Sequence, residues 1–290
     1  MQAEYNKGLS EWLVSWASFR AYPPEMANLY WPYRTKFSRH YWTPEQGSDY
    51  GKKPYQERAA AKAIATISQN PHALIAVFGP MMCGKTTTAL LIHELLCQKS
   101  QPVLVVKHGF DRERAAGSNL ENHPATASVP SRLVFNIEEL VATAQNFPGT
   151  VIFDEAMFIG ADNPEEVVGL AGFLAARKTV APTVVCGLDL AFNRQPWPAT
   201  PTIVKQADLI LHQSPKCAVP DCPDVGFLTF RTYPDNLGGR RRASEQDPLI
   251  FVGAAQNYAP VCGVHNALAE EEAREFKDDL GQTWWQRNET

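Results

Sequence analysis

Long apolar runs are missing from this 290-residue chain. None approaches the ~18–20 residues that a membrane-spanning helix needs, so none is expected. The opening stretch, MQAEYNKGLSEWLVSW, has no basic segment leading into an apolar one and a small-residue cleavage site. The expectation is therefore a cytoplasmic rather than a secreted protein. A large charge excess is also missing. With 27 basic and 31 acidic residues the formal net charge is -4, and a broad electrostatic grip on duplex DNA is not expected. Cysteine is scarce. Six in a chain this long do not read as a disulfide framework, and thiols, a metal site or both fit better. What is present is enough for a sizeable core, because hydrophobic residues make up 44% and charged residues 20%, which excludes wholesale disorder. The length suits one large or two modest domains at ~150 residues each.

Composition divides the chain. Seven of the nine tyrosines and four of the seven tryptophans precede residue 56, among many Arg, Lys and Pro. Apart from a short amphipathic stretch at Trp12, Leu13, Trp16 and Phe19, this region shows neither a helical nor a strand period. Residues 1–53 are read as a separate N-terminal extension, with two readings. Its aromatics pack on the main domain, or they stack on single-stranded nucleic acid. Residues 54–212 form the core, 213–266 a small irregular module and 267–290 an acidic tail that reads as a solvated helix.

Within the core, Pro54 opens an Ala-rich helix, PYQERAAAKAIATISQ. The stretches ALIAVF, PVLVV, TVIF and PTVVCG (beginning at Ala73, Pro102, Thr150 and Pro182) are short buried strands. They alternate with helical spacing over Thr87–Gln98, Ile137–Ala144 and Pro164–Arg177. That alternation predicts an α/β fold with a parallel sheet flanked by helices, and the pattern fades near residue 212.

Gly79-Pro80-Met81-Met82-Cys83-Gly84-Lys85-Thr86 fits G-x-x-x-x-G-K-[ST] after a strand and before a helix, the context a P-loop requires. Its main-chain N–H groups and the helix N-terminus suit phosphate. Lys85 suits the β and γ phosphates of ATP, the hydroxyl of Thr86 suits Mg²⁺, and Thr87 continues the site. Asp154 and Glu155 end the TVIF strand. Asp154 fits the Walker B role beside Mg²⁺, and Glu155 suits a base that takes a proton from an attacking hydroxyl or water. The plainer reading is a strand-end acid that caps the following turn. Cys217-x4-Cys222 and Cys262-x2-His265 offer four ligands in two pairs, which suits tetrahedral Zn²⁺ in a structural site, with unrelated buried thiols as the alternative. Cys97 and Cys186 read as core residues. Cys83 lies in the phosphate loop, a setting that allows a lowered thiol pKa. These motifs specify a P-loop NTPase without separating a kinase from an ATP-driven motor.

The segments GPMMCGKTT, VLVVKHGFDRER, VIFDEAMF, GLDLAFNRQPWP and VGAAQNYAPVCGVH resemble, in order and approximate spacing, the zinc-containing, cellular-type thymidine kinases over roughly residues 73–266. The resemblance implies a P-loop core with a zinc-braced lasso domain. It also implies phosphorylation of the 5′-hydroxyl of thymidine by ATP and Mg²⁺, and a homo-oligomer, commonly a tetramer. Residue by residue it implies phosphate binding by Lys85 and Thr86, base catalysis by Glu155, and a catalytic-site arginine at Arg194. Nucleoside contacts are implied for Met81, Phe158, Phe192, Thr229, Phe251, Gly253 and Tyr258. Three departures stand out. Glu113 occupies the family's arginine position, between Arg112 and Arg114. Met157 replaces a polar residue between Glu155 and Phe158. The first zinc pair is more widely spaced than usual. The rival expectations are a nucleic-acid-stimulated ATPase or translocase fragment and a catalytically decayed nucleotide-binding module.

Overall fold

The computed structural model describes residues 24–41, 54–110, 119–121, 126–234, 240–251 and 257–267. The Trp12–Phe19 stretch, Arg112, Glu113, Arg114, Gly253 and nearly all of the acidic tail lie outside the described residues. In chain order the elements are α1 (Pro24–Tyr30), a short 3₁₀ turn (Trp31–Tyr33), β1 (Phe37–Tyr41), α2 (Pro54–Gln69), β2 (Leu74–Phe78), α3 (Lys85–Gln98) and β3 (Val103–His108). Next come β4 (Asn119–Glu121), β5 (Ser128–Pro130), β6 (Arg132–Val134), α4 (Ile137–Ala144), β7 (Thr150–Asp154), α5 (Glu166–Arg177) and β8 (Thr183–Gly187). The last are α6 (Thr200–Gln206), β9 (Leu209–Ser214), β10 (Leu228–Pro234), β11 (Arg240–Arg242), β12 (Tyr258–Val261) and α7 (Gly263–Ala267).

Seven strands form one sheet in the order β1-β9-β2-β8-β7-β3-β6, and every pairing in it is parallel. The continuous apolar runs of the sequence are its central strands, as expected where both faces are covered. β2, β7 and β8 are buried at every position. Side chains alternate between two cores. Leu74, Ala76, Phe78, Val151, Phe153 and Val185 face one, packed under α1, α4, α5 and α6. Ile75, Val77, Ile152, Val184 and Cys186 face the other, under α2 and α3. The small alanines of α2, Ala59, Ala60 and Ala63, let that helix lie close on the sheet. α4 starts where Asn136 accepts from Glu139 N at 2.9 Å and Glu139 reaches back to Phe135 N at 2.8 Å, a reciprocal cap.

Two elements extend the sheet beyond the stretch read as core. Residues 24–41 belong to the segment read as an extension, and Tyr30 packs into the core, in line with the reading that its aromatics pack on the main domain. β1 is the edge strand of the large sheet, pairing Phe37 with Ile210 and His40 with Gln213. FSRHY has no apolar run because an edge strand buries little of itself. β9 continues the sheet past residue 212 to Ser214 and is buried throughout, including His212, Gln213 and Ser214. Its polar second half hides it from a hydrophobic scan. Beyond it, β11-β10-β12 form a small antiparallel sheet.

The loops entering β7 and β8 are tied together by one side chain. Arg177, at the end of α5, is wholly buried. Its guanidinium donates to Phe147 O at 2.5 Å, Gly149 O at 2.7 Å, Pro182 O at 3.2 Å and Thr183 Oγ1 at 3.3 Å. Removing the donor leaves several of these acceptors buried without partners, at roughly 1–3 kcal/mol each. Arg177→Leu is expected to destabilise the protein by about 3 kcal/mol or more in urea unfolding, and a loss under about 1 kcal/mol would contradict this role.

Candidate active site

β2 ends at Phe78 and the chain turns through Gly79–Gly84 into α3. Gly79 has φ +148, and a Cβ there would lie 2.1 Å from Gln213 O. Gly84 has φ +89, and a Cβ would lie 2.3 Å from Gln56 Nε2. The backbone carbonyl excludes a side chain at Gly79, and the positive φ disfavours one at Gly84. The loop is held from outside by Tyr55, whose hydroxyl donates to Cys83 O at 3.4 Å. Tyr55 and Gln56 open α2, and nothing in the sequence pattern marks them as neighbours of the loop. Lys85 folds back on it, donating to Pro80 O at 2.7 Å and Gly79 O at 3.2 Å. Burial pushes the Cys83 thiol up despite the nearby ammonium of Lys85, so the setting does not favour a thiolate.

Thr86 Oγ1 donates to Asp154 Oδ2 at 3.1 Å. This brings the P-loop hydroxyl and the carboxylate at the C-terminal end of β7 to one point. The oxygen donors suit a hard divalent cation. Glu155 is the next residue and has a left-handed conformation, φ 57 and ψ 36, sparsely populated for a residue with a side chain. The turn aims Glu155 into a cleft, and the 3₁₀ turn Ala156–Phe158 delivers Phe158 to the same cleft.

That cleft gathers most of the expected nucleoside residues. Met81, Glu155, Phe158, Phe192, Thr229, Phe251 and Tyr258 all line it. Arg194 does not. It sits in a tight turn at φ 67, its amide donating to Ala191 O at 2.9 Å. Phe158 is framed edge-on by Phe110 and Trp197, with centroids at 5.5 and 5.6 Å. Thr229 Oγ1 accepts from Met81 N at 3.1 Å, joining β10 to the phosphate loop. Tyr258 donates to Phe251 O at 2.5 Å.

Sequence reasoning missed Arg231. It is 2% exposed and lines the cleft, with Cζ 3.4 Å from the centroid of Phe192. Its guanidinium donates to Pro248 O at 2.6 Å and Leu249 O at 3.0 Å, fixing the chain that leads to Phe251. Its position two residues after Thr229, on the same face of a strand, was the available signal. Met157, 2% exposed, packs with Met81, Leu188 and Trp197. This explains an apolar residue there.

Cys217, Cys222, Cys262 and His265 converge, with one ligand atom from each and all four within 4.8 Å of one another. His265 Nδ1 lies 3.4 Å from Cys217 Sγ and 3.3 Å from Cys262 Sγ. The wider first pair is absorbed by Asp221, in a left-handed turn at φ 59. Three thiols and one imidazole at these separations fit tetrahedral Zn²⁺ in a closed structural site. Cys186 is buried as expected, whereas Cys97 is exposed, near His93 on α3.

A family model described as thymidine kinase matches residues 72–266, more than half of the chain. The chain belongs to the thymidine kinase family. As a member it is a kinase, built on a nucleotide-binding P-loop fold. It is 24% identical over 194 residues to a thymidine kinase of Onion yellows phytoplasma (strain OY-M), covering 67% of this chain and 86% of that one. It is 25% identical over 200 residues to a thymidine kinase of Thermococcus kodakarensis, covering 67% and 94%. Among solved structures, domain III of the Thermotoga maritima replication initiation protein DnaA aligns at 12% identity with a TM-score of 0.36, covering 59% of this chain and 66% of that one. That likeness is too loose to carry an argument. The nucleic-acid-stimulated ATPase is no better supported than the thymidine kinase family assignment. The family match begins after β1, so α1 and β1 lie outside it.

If the metal braces the thymidine kinase domain as the four ligands suggest, Cys262→Ser is expected to lower zinc content well below one ion per chain and to lower the melting temperature. Metal analysis with thermal unfolding checks both. Full zinc retention in this variant would remove Cys262 as a ligand.

Proposed function

We propose that the chain transfers the γ-phosphoryl group of ATP to the 5′-hydroxyl of thymidine or a related pyrimidine deoxynucleoside, giving the 5′-monophosphate and ADP. One observation carries the reading: Glu155 lines the aromatic cleft and directly follows Asp154, whose carboxylate meets Thr86 of the phosphate loop at 3.1 Å. In this reading Gly79–Thr87 hold the triphosphate through main-chain N–H groups. Lys85 leaves the carbonyls of Gly79 and Pro80 for the β and γ phosphates. Thr86 and Asp154 would hold Mg²⁺, which supplies charge neutralisation on the phosphate oxygens when bound.

On the other side, Phe158 stacks on the pyrimidine between Phe110 and Trp197. Met81, Phe192 and Thr229 close the walls. By resemblance, Phe251, Gly253 and Tyr258 would contact the base edge. Glu155 accepts the 5′-hydroxyl proton as that oxygen bonds to the γ-phosphorus. The bond from the γ-phosphorus to the β–γ bridging oxygen breaks, and ADP leaves with the electron pair. The protein's contribution is positioning and electrostatics. Arg112 or Arg114 would supply a cation over the transferring group. Arg194 is not among the residues lining the cleft, and by resemblance it would serve near the transferring phosphate. Zn²⁺ on Cys217, Cys222, Cys262 and His265 would brace the module that carries Thr229 and Tyr258. A homo-oligomer, a tetramer by resemblance, working in the cytoplasm completes the proposal.

A panel of nucleosides with ATP and Mg²⁺, read out as monophosphate, tests the reaction. Thymidine or a close pyrimidine relative is expected to be phosphorylated, and no product from any pyrimidine nucleoside would refute the proposal. Glu155→Gln is expected to keep nucleotide and nucleoside binding by calorimetry while kcat falls by about 10²–10⁴. Near-normal turnover would remove Glu155 as the base.

A further inference from the structure

We propose that Tyr30 is a positioning residue of the nucleoside cleft, so that the N-terminal segment 24–41 is a working part of the kinase. The kinetic half of this proposal rests on the reaction proposed above. The group on which Tyr30 acts is Asp189, two residues beyond β8 and 1% exposed. Its Oδ2 accepts from the Tyr30 hydroxyl at 3.0 Å and lies 2.9 Å from His212 Nε2. Its Oδ1 accepts from Leu190 N at 3.0 Å. Ser214 Oγ lies 3.2 Å from His212 Nδ1. Burial pushes the Asp189 carboxyl up, but His212, the Leu190 amide and the Tyr30 hydroxyl outweigh it, and the group is held below its ordinary value. A buried carboxylate needs each of these partners, because a lone pair left unfilled retains its full desolvation cost.

Asp189 also anchors the loop that forms one wall of the cleft. Its carbonyl accepts from Trp197 N at 3.2 Å, and within the loop Ala191 N donates to Gln195 O at 2.8 Å. The residues this loop presents to the cleft are Leu188, Ala191, Phe192 and Trp197. Trp197 in turn meets Phe158 edge-on. A continuous chain of contacts therefore runs from α1 through one carboxylate to the aromatic that would stack on the base. The Tyr30 ring is separately held by Phe37 at 4.7 Å and His212 at 5.8 Å. Removing the hydroxyl alone thus leaves the packing of α1 and β1 in place. What it takes away is the third hydrogen bond to Asp189.

The test is Tyr30→Phe in the full chain, with backbone hydrogen exchange and steady-state kinetics on thymidine and ATP. Exchange over residues 188–197 is expected to accelerate about tenfold while residues 79–86 are unchanged, the size set by loss of one hydrogen bond to a charged group. KM for the nucleoside is expected to rise about fivefold to tenfold, with KM for ATP unaltered. Leu170→Ala, which removes buried volume on α5 well away from Asp189 in the chain, is the control, expected to lower the melting temperature but leave both KM values alone. Unchanged exchange over 188–197 in Tyr30→Phe would overturn the proposal, as would acceleration spread evenly over the sheet. An unchanged nucleoside KM in an active enzyme would do the same. A wild-type protein that phosphorylates no nucleoside would instead sink the reaction, and the exchange pattern would still decide whether Tyr30 positions the loop.

Discussion

Parallel strands cannot be joined by tight turns, so each strand-to-helix loop of this sheet opens on the same edge. That constraint sets the site. β2, β7 and β8 end side by side. They lead, in turn, into the phosphate loop, the Asp154–Glu155 pair and the loop of Asp189. No pair of these segments is close in sequence. They meet because the carboxyl ends of neighbouring strands have nowhere else to send the chain. The single β8 strand between β2 and β7 leaves room for Asp154 to reach Thr86 at 3.1 Å while Glu155 turns away into the cleft.

The second module is fastened to that edge at the phosphate loop and braced within itself. Thr229 accepts from the phosphate loop at Met81. Arg231, on the same strand face, fixes the chain before Phe251 from beneath. The Cys and His pairs join the two ends of the module, one after β9 and the other at the end of β12. A metal there would not approach the chemistry. It would limit how far the strand bearing Thr229 and the chain bearing Tyr258 move apart, which is where a small antiparallel sheet of three short strands has least cohesion of its own.

Much of this was legible in the sequence, for reasons that differ by element. The buried strands of the sheet centre are apolar on both faces, so LIAVF, TVIFD and TVVCG announce themselves. The P-loop and the metal ligands are legible because their chemistry needs fixed residue types at fixed spacing. β9 is half hidden because its second half, His212, Gln213 and Ser214, is polar and buried. These side chains find partners in Asp189, Thr88 and one another, and a scan for apolar residues cannot anticipate such pairings. β1 is hidden because an edge strand carries no run. Arg231 and Tyr30 escape for a third reason. Each acts through a tertiary contact, with Pro248 and Leu249 in one case and Asp189 in the other, and no local pattern encodes a contact across 17 or 159 residues. Arg194 shows the reverse limit. Its place in a motif suggests the reaction centre, but Arg194 is not among the residues that line the cleft.

The folded-back posture of Lys85 bears on which anions the loop can hold. Its ammonium is already engaged by two carbonyls of its own loop, so a visitor must offer more than those dipoles do. A lone inorganic phosphate provides a single anionic centre in exchange. A polyphosphate chain spans the amides of the loop and the ammonium together, so it recovers the displaced bonds and adds others. Under the proposed function the loop would thereby discriminate by ligand length as well as charge.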